Sequence, residues 1–434
     1  MSERGRLAVI LSLYLVMGIG YSLLMPVWEA PDERAHYSYA LRLARTGERP
    51  SIEENPEANQ PPLYYWIAAQ PLGWIEVVRP DWVRPISPGT LPKAQGLPRY
   101  DWNSENYIFL AGPLVLRWLG LVFGGMALLF VYGGVRRIFP DEPGLALGSV
   151  ALIGGIPQFI HITASVNNDA LAILAGGLLF FGMVEICRFE SFSLSWIWIA
   201  AAALLFPVVT KLTVLALALT VLLALMSQTR RIRPDRAARY LLAAAGLSIV
   251  VFLILLAAAP RVVDELIREL AFRLFSFRPG IWDGSVLSFV FELVLNFWGK
   301  VGWLSVGVPS LLAATMSVLA GAGIGFAVRS LYFSGEENVL TPAQRRFLTF
   351  SLIAIGAAGL MLFRNFLTTP QLQGRFLFPT LGPIALWIVF GWRRLLAERE
   401  RFLVPMIVGM LFLLNLHLWL TGVIPVYYQP FLDR

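Results

Sequence analysis

Trp28-Glu29-Ala30-Pro31-Asp32-Glu33-Arg34-Ala35-His36 follows directly on the apolar run Leu7–Leu24, which is long enough to cross a bilayer. Three carboxylates and an imidazole therefore crowd the exit of a membrane span. Ionisable groups at that level are costly and mark function by default. The stretch also opens a long polar segment, 28–108, before hydrophobic runs resume.

The rest of the chain is built for lipid. Of its 434 residues 57% are hydrophobic and only 15% charged, with mean hydropathy +0.66. Such a composition excludes a soluble domain and points to a polytopic, all-α membrane protein. The net charge of +7 then reads as loop arginines rather than as a nucleic-acid surface. The one cysteine, Cys187, rules out an intramolecular disulfide and a cysteine-based metal cage. No small-residue cleavage site follows Leu24, so the first run reads as a retained span.

Apolar runs predict spans near 7–26, 113–135, 144–164, 170–187, 240–259, 302–328, 347–363, 375–392 and 402–424. The run 194–226 is too long for one crossing, and Pro207 with Thr210-Lys211 splits it into two short helices. The total is about eleven spans in one transmembrane domain, 1–434. A second outer loop falls at 260–301, with an amphipathic stretch at 262–275, and no soluble domain is expected at the carboxyl end. Seventeen arginines fall on the segments this map assigns to the cytoplasm, against nine basic residues on the outer segments beyond the first loop. That asymmetry puts the amino terminus inside and the carboxyl terminus outside. It also gathers Asp32, Asp169, Lys211 and Arg375 on the outer side.

Within the first loop, Pro31 fits a first helical position, and acids at 32 and 33 suit a helix N-terminus. Tyr37, Leu41 and Ala44 continue at helical spacing until Gly47, giving a short helix at the membrane surface. A second interfacial or re-entrant helix follows Asn59-Gln60-Pro61-Pro62-Leu63-Tyr64-Tyr65-Trp66 and runs to Val78.

Asp32 is the leading candidate base, since a carboxylate at a helix N-terminus stays ionised. His36 falls one turn later on the same face. The structural alternative is that Asp32 and Glu33 only complement the helix dipole while His36 packs under the headgroups. Asn167-Asn168-Asp169 fills a short outer turn, where it caps the next helix or supplies a second acid. Lys211, between two short helices, either snorkels or binds an anion. Arg375, after Gln373-Gly374, offers a bidentate fork suited to phosphate, and Arg117 and Arg364 are further candidates of that kind. His161 near the outer end of its span is within range of the site, whereas His417 reads as a packing residue. Serine-hydrolase, zincin, Walker and dinucleotide motifs are missing.

In their order along the chain these motifs resemble the GT-C glycosyltransferases. They are Pro31-Asp32-Glu33 with His36, Gln60-Pro61-Pro62-Leu63-Tyr64-Tyr65, Pro157 with Asn168-Asp169, Thr210-Lys211, and Gln373-Gly374-Arg375. The pattern is most similar to bacterial integral-membrane families related to the protein mannosyltransferase and aminoarabinose transferase group. The resemblance implies an inverting transferase of the inner (plasma) membrane with an outer-face active site. It would move a sugar from a polyprenyl-phosphate donor to a lipid or glycan acceptor. Asp32 would be the base, with Glu33 and Asp169 also in the catalytic set. Lys211, Arg375, Arg117 and Arg364 would hold the donor phosphate, and Asn168, Gln60, Tyr64, Tyr65 and Gln373 would line the substrate. A divalent Mg, Mn or Zn ion held by Glu33, His36 or Asp169 is a further expectation. A transporter or flippase for lipid-linked glycans, and a non-catalytic scaffold, are the rival classes. The first would want charges deep within several spans and paired broken helices.

Overall fold

The computed structural model describes residues 1–80, 111–188, 195–229, 286–332, 340–368 and 373–432. The expected span 240–259, the basic run 230–239, the amphipathic stretch 262–275 and most of the Pro-rich part of the first loop lie outside these residues.

Each long apolar run forms one helix because every backbone polar group in lipid must be satisfied within its own segment. The first, α1 (Glu3–Leu24), starts at Ser2, whose hydroxyl accepts from Gly5 N at 3.2 Å. The first loop supplies α2 (Glu33–Thr46) and α3 (Leu63–Val78), joined by a short 3-10 turn, Pro56–Asn59. Then come α4 (Ala111–Ile138), α5 (Pro143–Gly155), α6 (Pro157–Thr163) and α7 (Asp169–Arg188). Pro157 breaks the expected span 144–164 into α5 and α6, bent by 68°.

The expected split of 194–226 falls at Lys211, between α8 (Ser195–Val209) and α9 (Leu215–Thr229), where the backbone is extended. An unpredicted helix, α10 (Val286–Gly299), occupies the end of the expected second outer loop. The expected span from 302 begins later, at α11 (Ser310–Tyr332). Residues 300–307 instead form an antiparallel hairpin pairing Lys300 with Gly307 and Val301 with Val306. Its turn uses positive φ at Gly302 and Leu304, which a continuous helix does not allow. The last helices are α12 (Pro342–Thr368), α13 (Leu381–Leu396), α14 (Leu403–Leu418) and α15 (Ile424–Leu432). A 3-10 segment, Gly374–Thr380, leads into α13.

Among the described residues seven helices are long and apolar enough to cross a membrane, or eight if the bent α5–α6 pair is one span. The chain is thus a multi-pass, all-helical membrane protein with fewer full-length spans in view than the eleven expected. Helices α7 and α13 are buried over most of their length and form the centre, whereas α11 is largely exposed and faces outward. Small residues bring the central helices together, as they do where lipid supplies no hydrophobic drive between helices. A Cβ on Gly177 of α7 would lie 3.0 Å from the Ala127 Cα of α4.

The two ends of the bundle carry different chemistry. At one end, ion pairs join Glu3 to Arg136, Glu185 to Arg137 and Glu142 to Arg393. At the other, the exits of α1 and α6, the starts of α4 and α7, the α8–α9 break and the Gly374–Thr380 segment meet beneath α2 and α3.

Candidate functional site

Glu33 and Arg117 form the foundation of this second end. Arg117 Nε and Nη2 donate to the two Glu33 carboxylate oxygens, each at 2.7 Å. The remaining guanidinium hydrogens go to the carbonyls of Ser22, Met25 and Pro26. Glu33 also accepts from the backbone N–H groups of Trp28 and Val166, at 2.9 and 3.0 Å. Both side chains are buried. Glu33, expected as catalytic or metal-binding, and Arg117, expected to hold a donor phosphate, are thus bonded to each other. Their polar atoms are spent on fastening α1, the first loop, α4 and the α6–α7 turn together.

Asp32 behaves differently from its neighbour. It occupies the N-cap position of α2 at φ 62°, makes no capping hydrogen bond and is 39% exposed at its side chain. Pro31 was expected at the first helical position, but the helix begins two residues later, after a left-handed Asp32. Arg375 Nη2 lies 3.5 Å from Asp32 Oδ2, and Arg375 Nε lies 3.5 Å from Asp169 Oδ2. Lys211 Nζ donates to Asp169 Oδ1 at 2.6 Å and to Asn168 Oδ1 at 3.0 Å. Asn168 in turn donates to Gln60 Oε1 at 3.1 Å. Five of the sequence-selected polar positions (Asp32, Asp169, Lys211, Arg375 and Asn168) thus join in one network that also reaches Gln60.

Local structure explains how each group is held. Lys211 is extended because Pro207 and the break at Thr210 end α8. Asn167 Oδ1 caps Ala170 N at 3.2 Å, which frees Asn168 and Asp169 to face the cations. Gly374 is required beneath Arg375: a Cβ there would stand 2.6 Å from the Phe297 Cα and 2.7 Å from its N, both backbone atoms of α10.

Tyr64 and Tyr65 were expected to line a substrate, but both are fully buried within the first-loop helices. Tyr65 stacks on Tyr39 at 3.7 Å between centroids and places its hydroxyl 2.7 Å from His36 Nδ1. They support the site from behind. Gln373 is nearly buried, and Arg364 sits half-buried on α12, outside the ion pairs formed by Asp32 and Asp169. His161 is buried and close enough for Arg117 and Arg375 to act on it. No three His, Cys, Asp or Glu side chains converge in a way that could hold a metal ion among the described residues. Of the expected ligands, Glu33 pairs with Arg117, Asp169 Oδ1 with Lys211 and His36 Nδ1 with Tyr65.

One site residue escaped the sequence reading. Glu57, in the 3-10 turn, places Oε2 3.9 Å from His36 Nε2. Burial raises its carboxyl above the usual range, and Asp32 adds to the rise while Lys211 and Arg375 oppose it. The signal was available in Asn55-Pro56-Glu57, where an Asn cap and a Pro at the first position begin a turn. Burial lowers the His36 imidazole to about 3, and the Lys211 charge acts in the same direction, so the ring is neutral.

Fold and site together define an all-helical, multi-pass membrane protein with an acid–base cluster at one end of its bundle. One solved structure it resembles is that of ArnT, a GT-C aminoarabinose transferase, from Cupriavidus metallidurans bound to undecaprenyl phosphate. The TM-score is 0.53 at 14% identity, over 98% of this chain and 74% of that one. Apo ArnT from the same organism aligns over the same shares, with TM-score 0.49 and 13% identity. At this identity the likeness establishes the fold. No family model and no curated protein sequence matches the chain.

Proposed function

We propose that this protein transfers a sugar from a polyprenyl-phosphate carrier to an acceptor at the outer face of the membrane. One observation carries the reading. Arg375 is buried between Asp32 and Asp169, yet among the described residues its Nε and Nη1 and the Asp169 Oδ2 have no hydrogen-bond partner. Buried charged donors left unsatisfied are costly, and a ligand phosphate is the natural group to take them. Lys211 adds a second cation on the same side. ArnT, whose fold this chain resembles, was crystallised with undecaprenyl phosphate.

In this reading Arg375 and Lys211 bind and stabilise the leaving phosphate, and Asp32 takes the proton of the acceptor hydroxyl as it attacks the anomeric carbon in line. Inversion at that carbon follows from a single displacement. Asp169 holds the two cations in place. In this reading the Arg-rich ion-paired end of the bundle faces the cytoplasm and the cluster the outer side, as excess arginine on cytoplasmic segments favours.

The test is direct binding of undecaprenyl phosphate to the purified protein, followed by transfer from a labelled polyprenyl-phosphate sugar in membranes lacking the enzyme. Binding abolished by Arg375→Ala with Lys211→Ala, and transfer lost in Asp32→Asn, are expected. A protein that does not bind the lipid phosphate has another function.

A further inference from the structure

The cluster holds three acids and two cations, and their pairing leaves one acid over. Asp169 is paired with Lys211 and Arg375, and Asp32 with Arg375. Glu57 has, among the described residues, only the His36 ring as an ion-pair partner, at 3.9 Å. That ring is neutral, its Nδ1 fixed by Tyr65, so it gives Glu57 no countercharge.

The position of Glu57 is nevertheless well defined. Asn55 Oδ1 accepts from Glu57 N at 2.8 Å, while Asn55 Nδ2 donates to Ala35 O at 2.9 Å and Ser38 Oγ at 3.0 Å. The turn bearing Glu57 is thereby fastened to α2, the helix that Asp32 precedes. The side chain is 15% exposed, and the charges of Asp32, Lys211, Arg375 and Asp169 all act on it. A carboxylate fixed beside this cluster, with no ion-paired cation of its own among the described residues, opposes an anion bound to Lys211 and Arg375.

We propose that Glu57 sets which charge state of a lipid phosphate the site retains. The inference rests on Lys211 and Arg375 binding the carrier phosphate. A polyprenyl-phosphate sugar is a phosphodiester with one negative charge, whereas the carrier left after transfer is a monoester approaching two. Repulsion scales with the product of the charges, so Glu57 destabilises the spent carrier about twice as much, in free energy, as the donor. The residue favours donor over product and speeds release of the spent lipid. It does so without touching the reacting atoms, as a specificity-determining residue.

The experiment measures affinities of the full-length protein in nanodiscs for undecaprenyl phosphate and for its methyl diester, at about pH 8 so that the carboxyl is ionised. Glu57→Gln should tighten undecaprenyl phosphate on the order of tenfold and the diester only about threefold. Glu57→Ala, which removes the same charge, should do likewise, and Glu57→Asp should bind as wild type does. Raising the salt should shrink the difference between the two lipids. Unchanged or weakened binding in both charge-removing variants overturns the proposal. Failure of the wild-type protein to bind either lipid overturns the phosphate-site reading of Lys211 and Arg375, and this inference with it.

Discussion

Arg117 and Glu33 are 84 residues apart in sequence and form a buried, two-point ion pair, with both contacts at 2.7 Å. Every other polar atom of the pair is engaged by backbone groups from α1, the first loop and the α6–α7 turn. Removing one partner from such a pair leaves an uncompensated buried charge, at a cost of about 3–5 kcal/mol. Arg117→Ala should therefore lower the thermal unfolding temperature and the folded yield sharply. Arg117→Lys should recover only part, because an ammonium cannot reproduce the fork. Wild-type stability in Arg117→Ala would remove the pair from this role.

Asp32 and Glu33 should part company on mutation. The Asp32 side chain caps nothing and is partly exposed, so Asp32→Asn should keep wild-type stability and lipid binding. Transfer should fall by on the order of 10²–10⁴, the usual loss for a general base. Glu33→Gln should instead lose stability first, with excess divalent metal giving no rescue. Unfolding curves and transfer rates measured on the same preparations separate the two.

Arg375 lies between Asp32 and Asp169 and, in the proposed function, binds the carrier phosphate. Arg375→Ala should weaken undecaprenyl phosphate binding by at least tenfold, and Arg375→Lys should restore it in part. Equal affinities for wild type and alanine variant would take Arg375 out of the site.

Gly374→Ala tests how Arg375 is positioned. The new methyl would collide with the backbone of Phe297 and Asn296 on α10, which no side-chain rotation relieves. Lipid binding should drop nearly as far as in Arg375→Ala although no charged group is lost. Structure determination should show the Gly374–Thr380 segment displaced from α10.

Glu29 supplies a pH dependence. Burial raises its carboxyl to about 7, the Tyr427 hydroxyl that donates at 3.2 Å opposes the rise, and Glu33 adds to it. The folded state thus holds this proton more tightly than the unfolded chain. Its contribution to stability is full below the ordinary glutamate value and is lost as the pH rises through about 7. Glu29→Gln, which mimics the protonated form, should become more stable relative to wild type between about pH 5 and about pH 8. A difference that does not change with pH would show that Glu29 is not the group that titrates.

The sequence by itself determined that this chain lives in a membrane, where most described helices run, and which polar residues gather at one end. These properties are local sums. The cost of placing a residue in lipid adds along a run, and Pro207, Gly47 and the acids after Leu24 punctuate the chain where they stand. Interruptions set by tertiary contact were not legible: the hairpin at 300–307 rests on positive φ values that neighbouring elements stabilise, and the apolar pattern continues across it.

Tertiary structure alone decided which partner each charged residue meets. Asp32 and Glu33 are adjacent and chemically alike, yet one is open and the other is consumed by Arg117. Arg117 and Arg375 both read as phosphate ligands, and only the position of their partners tells the structural arginine from the available one. Glu57 gave no signal beyond a turn, since its place beside His36 is set only when the first-loop helices pack. Hydrophobic periodicity records how much water a residue meets. Charge pairing depends on which side chains meet across tens of residues, and that is fixed only when the helices pack.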